Sequence, residues 1–471
     1  MQFIHKIRQF VQVLALKRVI KGYIVTNTET MTRNTSLSLR QIFDLNFGFF
    51  GVQIAYALQS ANISRIFATL GADPHQLSFF WVLPPLMGMI VQPLVGKFSD
   101  RTWCKLGRRK PYLLGGALVA VLVMLMLPNA GSFTFGSKLL LGLNGAMWFG
   151  LFSLIFLDTS INVAMQPFKM MVGDMVGDNQ KAKGYSVQSF LCNAGSLAGY
   201  LFPIFFTWIG LANTAPAGII PQSVIWSFYC GALILILCVF YTSLRVKEMP
   251  PKEYARFHGI EETSCDSPES VSFVKLLKKA PATFWTVSLV QFFCWASFLF
   301  LWTYTNGAIA DTCWGVSDPG SEAYQSAGNW VGVLFAVEAV GAMLWALVIP
   351  RFRTLKTAYV VSLLLGAAGF ASVYFIHSRW LLFASFALIG VVWAATLALP
   401  FTLVTNSLKD HIGTYLGLFN CSICLPQIIA AATGGAVLKL VGGSQAAMFI
   451  IAAVLLVFGA ASVFIIKENK E

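Results

Sequence analysis

Charged residues are scarce in this chain. Only 11% of its 471 residues are charged, whereas 57% are hydrophobic. Ordinary soluble domains carry about 25% charged and about 45–50% apolar residues, so a water-soluble protein of this length could not cover its surface with so few charges. The scarcity therefore excludes a soluble globular protein and makes lipid the solvent for most of the chain.

The sequence also lacks the features of several other classes. Its apolar runs do not alternate with polar residues, as the strands of a membrane barrel do. Its nine cysteines lie mostly within apolar runs, so we expect no disulfide framework. No phosphate-binding loop, metal-ligand spacing or paired loop carboxylates are present. We therefore predict no catalytic residue, no metal and no cofactor, and an enzyme such as a membrane-embedded glycosyl transferase is disfavoured.

Long apolar runs fill the chain from residue 40 onward. A bilayer is spanned by a helix of about 20 apolar residues, and twelve runs of that kind follow one another. They cover residues 40–68, 75–96, 110–129, 139–171, 184–209, 223–246, 281–309, 327–350, 357–376, 381–405, 413–438 and 444–466. The sequence predicts an all-α membrane protein of twelve transmembrane helices.

The net charge of +13 is distributed unevenly among the loops. Lys and Arg concentrate in alternate loops, beginning with the basic N-terminal tail, and the opposite side has only Arg65, Lys138, Arg379 and Lys439. The positive-inside rule places both termini in the cytoplasm and explains the charge without a nucleic-acid partner. We expect a monomer in the cell inner membrane, with the lipid bilayer as its partner and no cleavable signal peptide in residues 1–30.

A polar stretch at residues 247–280 divides the spans six to six. A Pro-Phe pair closes the fourth span at 167–168 and the tenth at 400–401, which indicates an internal duplication. Two six-helix bundles with a binding site between them are typical of transporters. The predicted domains are a tail 1–39, a bundle 40–246, a linker 247–280 with the acidic residues Glu261, Glu262, Asp266 and Glu269, a bundle 281–466, and a tail 467–471.

The loop between the second and third spans carries the sharpest local pattern. Its glycines permit tight backbone turns, with Gly96 expected to allow a tight exit from the second span, and its acid can accept hydrogen bonds from arginine or a helix N-terminus. We predict that it forms a cytoplasmic gate that latches the two halves. The alternative is a positively charged membrane anchor. The gate residues are Gly96, Asp100, Arg101, Gly107, Arg108 and Arg109.

This loop resembles the signature loop of the major facilitator superfamily. Its long spacer, from Arg101 to Gly107, resembles the sucrose/maltose transporter branch, which is related to the glycoside–pentoside–hexuronide:cation symporters. Motifs at residues 157–168, 327–334 and 413–427 agree. The resemblance implies alternating access and proton-coupled symport of a disaccharide such as sucrose or maltose. Sodium-coupled glycoside transport and uptake of cell-wall sugar fragments remain open.

Three acidic residues, Asp44, Asp158 and Glu338, fall within the predicted spans. Each costs ~2.5–3.5 kcal/mol at bilayer depth, so we predict that they couple transport to a proton. Asp44 lies in a first helical turn, where the helix dipole offers an equally good reason. Lys169 lies ~16 Å from Asp158 along the helix, too far to pair. The resemblance links the fourth-span acid to proton and sugar handling, but the family usually has Arg where this chain has Lys169.

A sugar presents hydroxyl rims and C–H faces, so its site needs hydrogen-bonding side chains together with aromatic rings. Such residues recur on single faces of the first, fourth, seventh and eleventh spans. The alternative is packing, since buried amides often bridge helices. The predicted sugar-binding residues are Gln53, Tyr56, Asn162, Gln291, Trp295, Asn420 and Gln427.

Overall fold

The computed structural model describes residues 37–133, 143–177, 180–216, 218–257, 277–408, 415 and 418–466. Both predicted tails up to residue 36 and from residue 467 lie outside the described residues. So do the acidic part of the linker, Lys138, and the Gly413 and Gly417 of the eleventh-span motif.

Helices account for the architecture throughout the described ranges, where no strand is found. Their bounds are α1 Leu39–Thr69, α2 Pro74–Phe80, α3 Leu83–Arg101, α4 Lys110–Met126, α5 Gly145–Met175, α6 Lys181–Trp208, α7 Gln222–Arg245, α8 Pro251–Phe257, α9 Ala282–Trp314, α10 Glu322–Ala346, α11 Leu355–Phe375, α12 Leu382–Ser407, α13 Cys421–Leu440 and α14 Ala447–Val463. The short helix α2 and helix α3 together make one crossing, and α8 lies after the sixth crossing.

Twelve crossings result from these helices in the described part of the chain. Ten segments are long and apolar enough to span a membrane by length and composition. The other two are α14, which is apolar but has only 17 residues, and α1, which has 31 residues. Helix α1 buries several polar side chains, among them Asn46, Gln59 and Arg65, so its hydropathy is low. The predicted all-α fold is confirmed.

Local sequence explains where several helices begin and end. A capping box starts α1, because Ser38 and Gln41 each accept a hydrogen bond from the other's backbone N–H. Helix α9 ends at Gly315, whose φ of +65° suits a residue without a Cβ. Helix α3 runs through Gly96 to Arg101, so the tight exit expected at Gly96 is wrong. The helix ends five residues later, at the start of the charged loop.

Alternate helices begin at opposite faces of the bundle. We call the face where α1 begins and α14 ends the tail face, and the opposite one the far face. We call α1–α7 the first half and α9–α14 the second half; the predicted bundle and linker boundaries stay predictions.

Hydrogen bonds between described residues of the two halves cluster toward the far face. Examples are Asn329 Nδ2 to Thr207 Oγ1 at 2.7 Å and Ser64 Oγ to the Trp302 carbonyl at 3.1 Å. A Cβ on Gly332 would overlap the backbone carbonyl of Tyr200, so glycine permits close approach there. The far face is therefore closed.

Candidate functional site

Asp158 lies midway along α5 and is only 2% exposed. Gln59 Nε2 of α1 donates to Asp158 Oδ1 at 2.6 Å. The other carboxylate oxygen, Oδ2, is buried and has no hydrogen-bond partner, and neither has Gln59 Oε1. A buried polar atom without a partner costs about 1–3 kcal/mol. The structure thus holds the Asp158 carboxylate by one oxygen and leaves the other available for a proton or a hydroxyl donor.

Residues of the first half lie next to this carboxylate, and a residue of the second half lies near one of them. Tyr56 of α1 lies within electrostatic range of Asp158, of Cys192 in α6 and of Cys424 in α13. Asn162 lies one turn beyond Asp158, but its Nδ2 donates to the Asp158 backbone carbonyl at 2.9 Å and not to the carboxylate. The structure therefore brings the predicted residues Asp158, Tyr56 and Asn162 together in the first half, with Cys424 of the second half near Tyr56.

Lys169 lies on the same helix, closer to the tail face. It is exposed, and its ammonium makes no hydrogen bond or ion pair with any described residue. Its electrostatic neighbours are the thiols of Cys192 and Cys424, one from each half. Lys169 therefore places a positive charge without a carboxylate partner on the tail-face side of Asp158.

Glu338 of α10 is the corresponding acid of the second half and is 7% exposed. Its carboxylate makes no hydrogen bond or ion pair within the part of the chain that the structure describes. Tyr200 of α6 lies within electrostatic range of Glu338 and of Tyr56. A chain of two tyrosines therefore connects the surroundings of Asp158 in the first half with those of Glu338 in the second.

Trp295 belongs to a cluster of aromatic rings in α9 and α12. Its ring centroid lies 5.7 Å from that of Trp393 and 6.4 Å from that of Trp302. Trp81 of the first half stacks on Trp302 at 6.1 Å, so the cluster crosses the interface. Trp295 Nε1 is buried without a hydrogen-bond partner. The second half thus combines aromatic faces with an available N–H donor.

Two predicted glutamines are buried at helix contacts. Gln291 is fully buried, with its Nε2 donating to the Thr396 carbonyl at 3.2 Å and its Oε1 left without a partner. Gln53 Oε1 accepts from Ser196 Oγ at 3.5 Å. Both amides bridge helices of one half, which supports the packing alternative as much as sugar binding.

The remaining predicted residues are held locally. Gln427 donates to a carbonyl of its own helix at 2.9 Å, and half-buried Asn420 precedes α13, with its amide 3.7 Å from Cys424 Sγ. Asp44 Oδ1 accepts from the Tyr241 hydroxyl at 2.7 Å near the tail-face end of α1. The structure does not bring Asp44 together with Asp158. The Tyr241 hydroxyl supplies Asp44 with a hydrogen-bond donor within the first half.

The charged loop between α3 and α4 is organised around Arg109. Its guanidinium pairs with Asp100 at 2.6 Å and with Asp174 of α5 at 2.9 Å, and it also donates to Ser99 Oγ. Burial lowers the pKa of Arg109, but the carboxylates of Asp174 and Asp100 outweigh it and raise the pKa overall. The described partners of Arg109 all belong to the first half.

Glu248, just after α7, clamps the same loop. Its carboxylate accepts from the backbone N–H groups of Arg108, Arg109 and Lys110 at the start of α4, at 2.7, 2.9 and 2.9 Å. Gly107 has φ +114°, and a Cβ there would lie 2.7 Å from the Glu248 carboxylate. This arrangement anchors the chain that leaves the first half.

Two other predicted gate residues contribute little to this cluster. Arg101 is exposed and has no partner in the described part of the chain, and Gly96 lies inside α3. The predicted latch between the halves does not appear among the described contacts, so the gate remains a prediction.

Arg65 closes the far face and was not identified from the sequence as a site residue. It is 1% exposed and donates to Gln325 Oε1 at 2.6 Å, Asn329 Oδ1 at 2.8 Å and Asn213 Oδ1 at 3.0 Å. Gln325 and Asn329 belong to the second half. A Cβ on Gly328 would lie 2.7 Å from the Arg65 side chain, so this glycine makes room for the arginine.

Gln59 and Tyr200 were also missed. Gln59 follows Tyr56 by almost one helical turn, and that spacing could have placed it beside the predicted residues of α1. Tyr200 follows the small-residue positions Gly195 and Gly199, where the sequence suggests helix packing only. Its proximity to Glu338 depends on how the halves meet.

Twelve crossings in two halves, with a partly satisfied carboxylate buried midway along one helix, are typical of a membrane transporter. The family model described as Major Facilitator Superfamily matches residues 45–310 and 319–471 of this chain. The chain therefore belongs to the major facilitator superfamily, and it is a transporter and not an enzyme. The predicted family is confirmed.

Similar proteins include sugar carriers. A sucrose transport protein of rice, Oryza sativa subsp. indica, is 24% identical over 439 residues, which cover 82% of this chain and 79% of the relative. The general alpha-glucoside permease of Schizosaccharomyces pombe is 24% identical over 294 residues, 58% of this chain and 49% of the relative.

Solved structures share the fold at low identity. The nucleoside transporter NupG matches with a TM-score of 0.66 and 12% identity, over 92% of this chain and 100% of that one. The xylose transporter XylE from E. coli, in an inward-open conformation, matches with 0.63 and 14%, over 92% and 96%. These likenesses establish the fold alone.

Proposed function

We propose that this protein is a secondary active transporter that carries a disaccharide, such as sucrose or maltose, together with a proton by alternating access. The observation that carries the proposal is Asp158, whose Oδ1 is held by Gln59 while its buried Oδ2 has no partner. A carboxylate in this state can take up a proton, and when ionised it can accept a hydrogen bond from a sugar hydroxyl.

The second half supplies the surface that a sugar requires. The rings around Trp295 offer apolar faces, and the unpaired Trp295 Nε1 and Gln291 Oε1 offer a donor and an acceptor. A sugar stacks its C–H faces on aromatic rings while its hydroxyls bind polar groups. The resemblance to sucrose and alpha-glucoside carriers supports a glycoside as the transported solute.

The loop charges support an orientation. The excess of Lys and Arg on the tail face follows the positive-inside rule, which supports cytoplasmic termini. We propose the inner membrane as the location and a monomer as the oligomeric state. The closed far face then points outward.

Lys169 favours a second candidate function. It is an exposed cation on the helix that carries Asp158, nearer the tail face, and has no ion-pair partner among the described residues. A cation in such a place would bind an acidic substituent, as found on a cell-wall sugar fragment. Competition by neutral and acidic saccharides separates this candidate from neutral disaccharide transport. Sodium coupling is a further alternative.

Proteoliposomes with an imposed pH gradient test the main proposal. We expect wild-type protein to accumulate sucrose or maltose against its gradient with sodium replaced by choline. The Asp158→Asn variant should move sugar only to equilibrium and without protons, because an amide cannot carry the proton. The matched control, Glu322→Gln, removes an exposed carboxylate at the start of α10 and should accumulate sugar normally.

Two results would contradict the assignment. Unchanged proton movement per sugar in Asp158→Asn would remove Asp158 from coupling. Wild-type accumulation that requires sodium and ignores the pH gradient would replace proton coupling with sodium coupling.

A further inference from the structure

A cavity of about 470 Å³ opens on the far face, away from Asp158. The first half lines it with residues 68–77, the turn from α1 into α2. The second half lines it with residues between 307 and 324, where α9 ends and α10 begins, and with residues 443–445 before α14. Small-molecule sites measure about 300–1,000 Å³, so the cavity has the size of a ligand site and is built from both halves.

The cavity lies directly over the closed far-face layer. Tyr324 lines it and is only 4% exposed, and Tyr324 also lies within electrostatic range of Arg65. Gln445 approaches α9 at Gly307, where any Cβ would overlap the Gln445 amide group. The Arg65 layer therefore separates this cavity from the site around Asp158.

The lining chemistry suits a neutral polyhydroxylated ligand. Asp73 and Asp311 contribute carboxylates, and Ser317, Ser444 and Tyr324 contribute hydroxyls, whereas no lining residue is Lys, Arg or His. Carboxylates accept strong hydrogen bonds from hydroxyl groups and repel other anions.

The carboxylates of Asp311 and Asp73 differ in the number of hydrogen bonds that they already accept within the protein. Asp311 is exposed, and its carboxylate makes no hydrogen bond or ion pair with any described residue. Asp73 accepts one hydrogen bond, from the His75 backbone N–H at 2.7 Å. Both therefore retain free acceptor capacity.

We propose that the far-face cavity is a second binding site for neutral saccharides, separate from the transport site at Asp158. The proposal rests on the proposed function only in taking the same class of ligand. Because both halves build the cavity, a sugar bound there contacts both at once. A ligand that prefers one conformation shifts the equilibrium toward it, so occupancy stabilises the far-face-closed state and slows transport at high sugar concentration.

Protection of an engineered thiol measures occupancy in the purified full-length protein. The Ser317→Cys variant puts a reporter on an exposed position of the cavity wall, in a Cys313→Ser background that removes the thiol nearby. Ser378→Cys is the matched reporter, because Ser378 is exposed on the same face and does not line the cavity. Maleimide labelling at each position is followed by peptide mass spectrometry with sucrose, maltose or glucuronic acid present.

We expect sucrose or maltose to slow labelling of Ser317→Cys severalfold and to leave Ser378→Cys unaffected, with no protection by glucuronic acid. Adding Asp311→Asn should raise the half-protecting sugar concentration severalfold, since a charge-assisted hydrogen bond becomes a weaker neutral one. Glu322→Gln, on the same face but outside the cavity, should not change it.

The Asp158→Asn background separates the two sites. Protection that persists there supports a second site, even if proton-coupled uptake fails. Protection that disappears there would mean that the reporter senses closure driven by the transport site, and the proposal would be overturned. Equal protection at both reporters, or an unchanged half-protecting concentration in Asp311→Asn, would overturn it as well.

Discussion

Two buried arginines, one toward each face, are held in opposite ways. Arg65 is 1% exposed and is bonded to three amide oxygens, two of them from the second half. Arg109 is 2% exposed and is paired with two carboxylates, both from the first half. The charge at the far face thus bridges the halves through neutral partners, whereas the charge at the tail face is neutralised within one half.

The difference shows which contact must break during transport. Separating a buried arginine from a carboxylate leaves an uncompensated charge and costs ~3–5 kcal/mol. Amide partners avoid that cost because they are neutral. When the far face opens, water can hydrate both the Arg65 guanidinium and the amide groups that it leaves. Arg65 is therefore suited to a contact that forms and breaks, and Arg109 to one that lasts through the cycle.

The largest expected effect follows from removing Arg109. Arg109→Ala removes the guanidinium that pairs with Asp174, whose side chain is 18% exposed, whereas Asp100 is 54% exposed and contributes little. We expect a loss of ~3–5 kcal/mol of stability, measured as a lower melting temperature in detergent. Arg101→Ala removes an exposed arginine from the same loop and serves as the control.

The comparison breaks if Arg109→Ala melts like Arg101→Ala while the distances between the halves change. That outcome would make the loop a gate between the halves, as the sequence predicts, in place of a fixed part of the first half.

The second effect concerns conformation. Arg65→Ala leaves Gln325, Asn329 and Asn213 without their donor in the closed state. We expect the free energy of the far-face-open conformation, relative to the closed one, to fall by about 1.5–3 kcal/mol, the value of a hydrogen bond to a charged group. Spin labels at Thr214→Cys and Ser378→Cys, on exposed positions of different halves, measure the distance distribution.

Arg379→Ala is the matched control for Arg65→Ala. Arg379 is an exposed far-face arginine that stacks on Trp314, Trp330 and Trp380, all in the second half. If Arg65→Ala stays closed or closes further, burial of the arginine opposes closure more than its hydrogen bonds favour it, and the comparison fails.

The sequence predicts the fold well because lipid imposes long apolar segments, and the costs of charge at bilayer depth single out Asp158 and Glu338. It predicts the roles of Arg65 and Glu248 poorly. Counting charges by loop assigns Arg65 to the far side of the membrane, but the residue is buried inside α1. Its partners follow more than 140 residues later in the chain.

Glu248 teaches the same lesson from the other face. Nothing in its own surroundings in the sequence indicates a cap for a helix that begins about 140 residues earlier. The spacing of apolar residues and the free-energy cost of a charge at bilayer depth can be read from a local stretch of sequence. The contacts between residues of different helices depend on how the helices pack. The sequence therefore identifies which residues are costly, and the structure identifies what each of them contacts.

The smallest expected effect tests the rigidity of the tail-face loop through two glycines. Gly107 adopts φ +114°, and a Cβ would lie 2.7 Å from the Glu248 carboxylate, whereas a Cβ on helical Gly115 would meet nothing within 4 Å. We expect Gly107→Ala to lower stability by ~1–2 kcal/mol, because L-residues are strained at positive φ. Gly115→Ala should raise stability slightly, since alanine favours a helix. The melting temperatures of the two variants measure this difference. Equal melting temperatures would show that the loop accommodates a Cβ at Gly107 and that Glu248 does not hold the loop rigid.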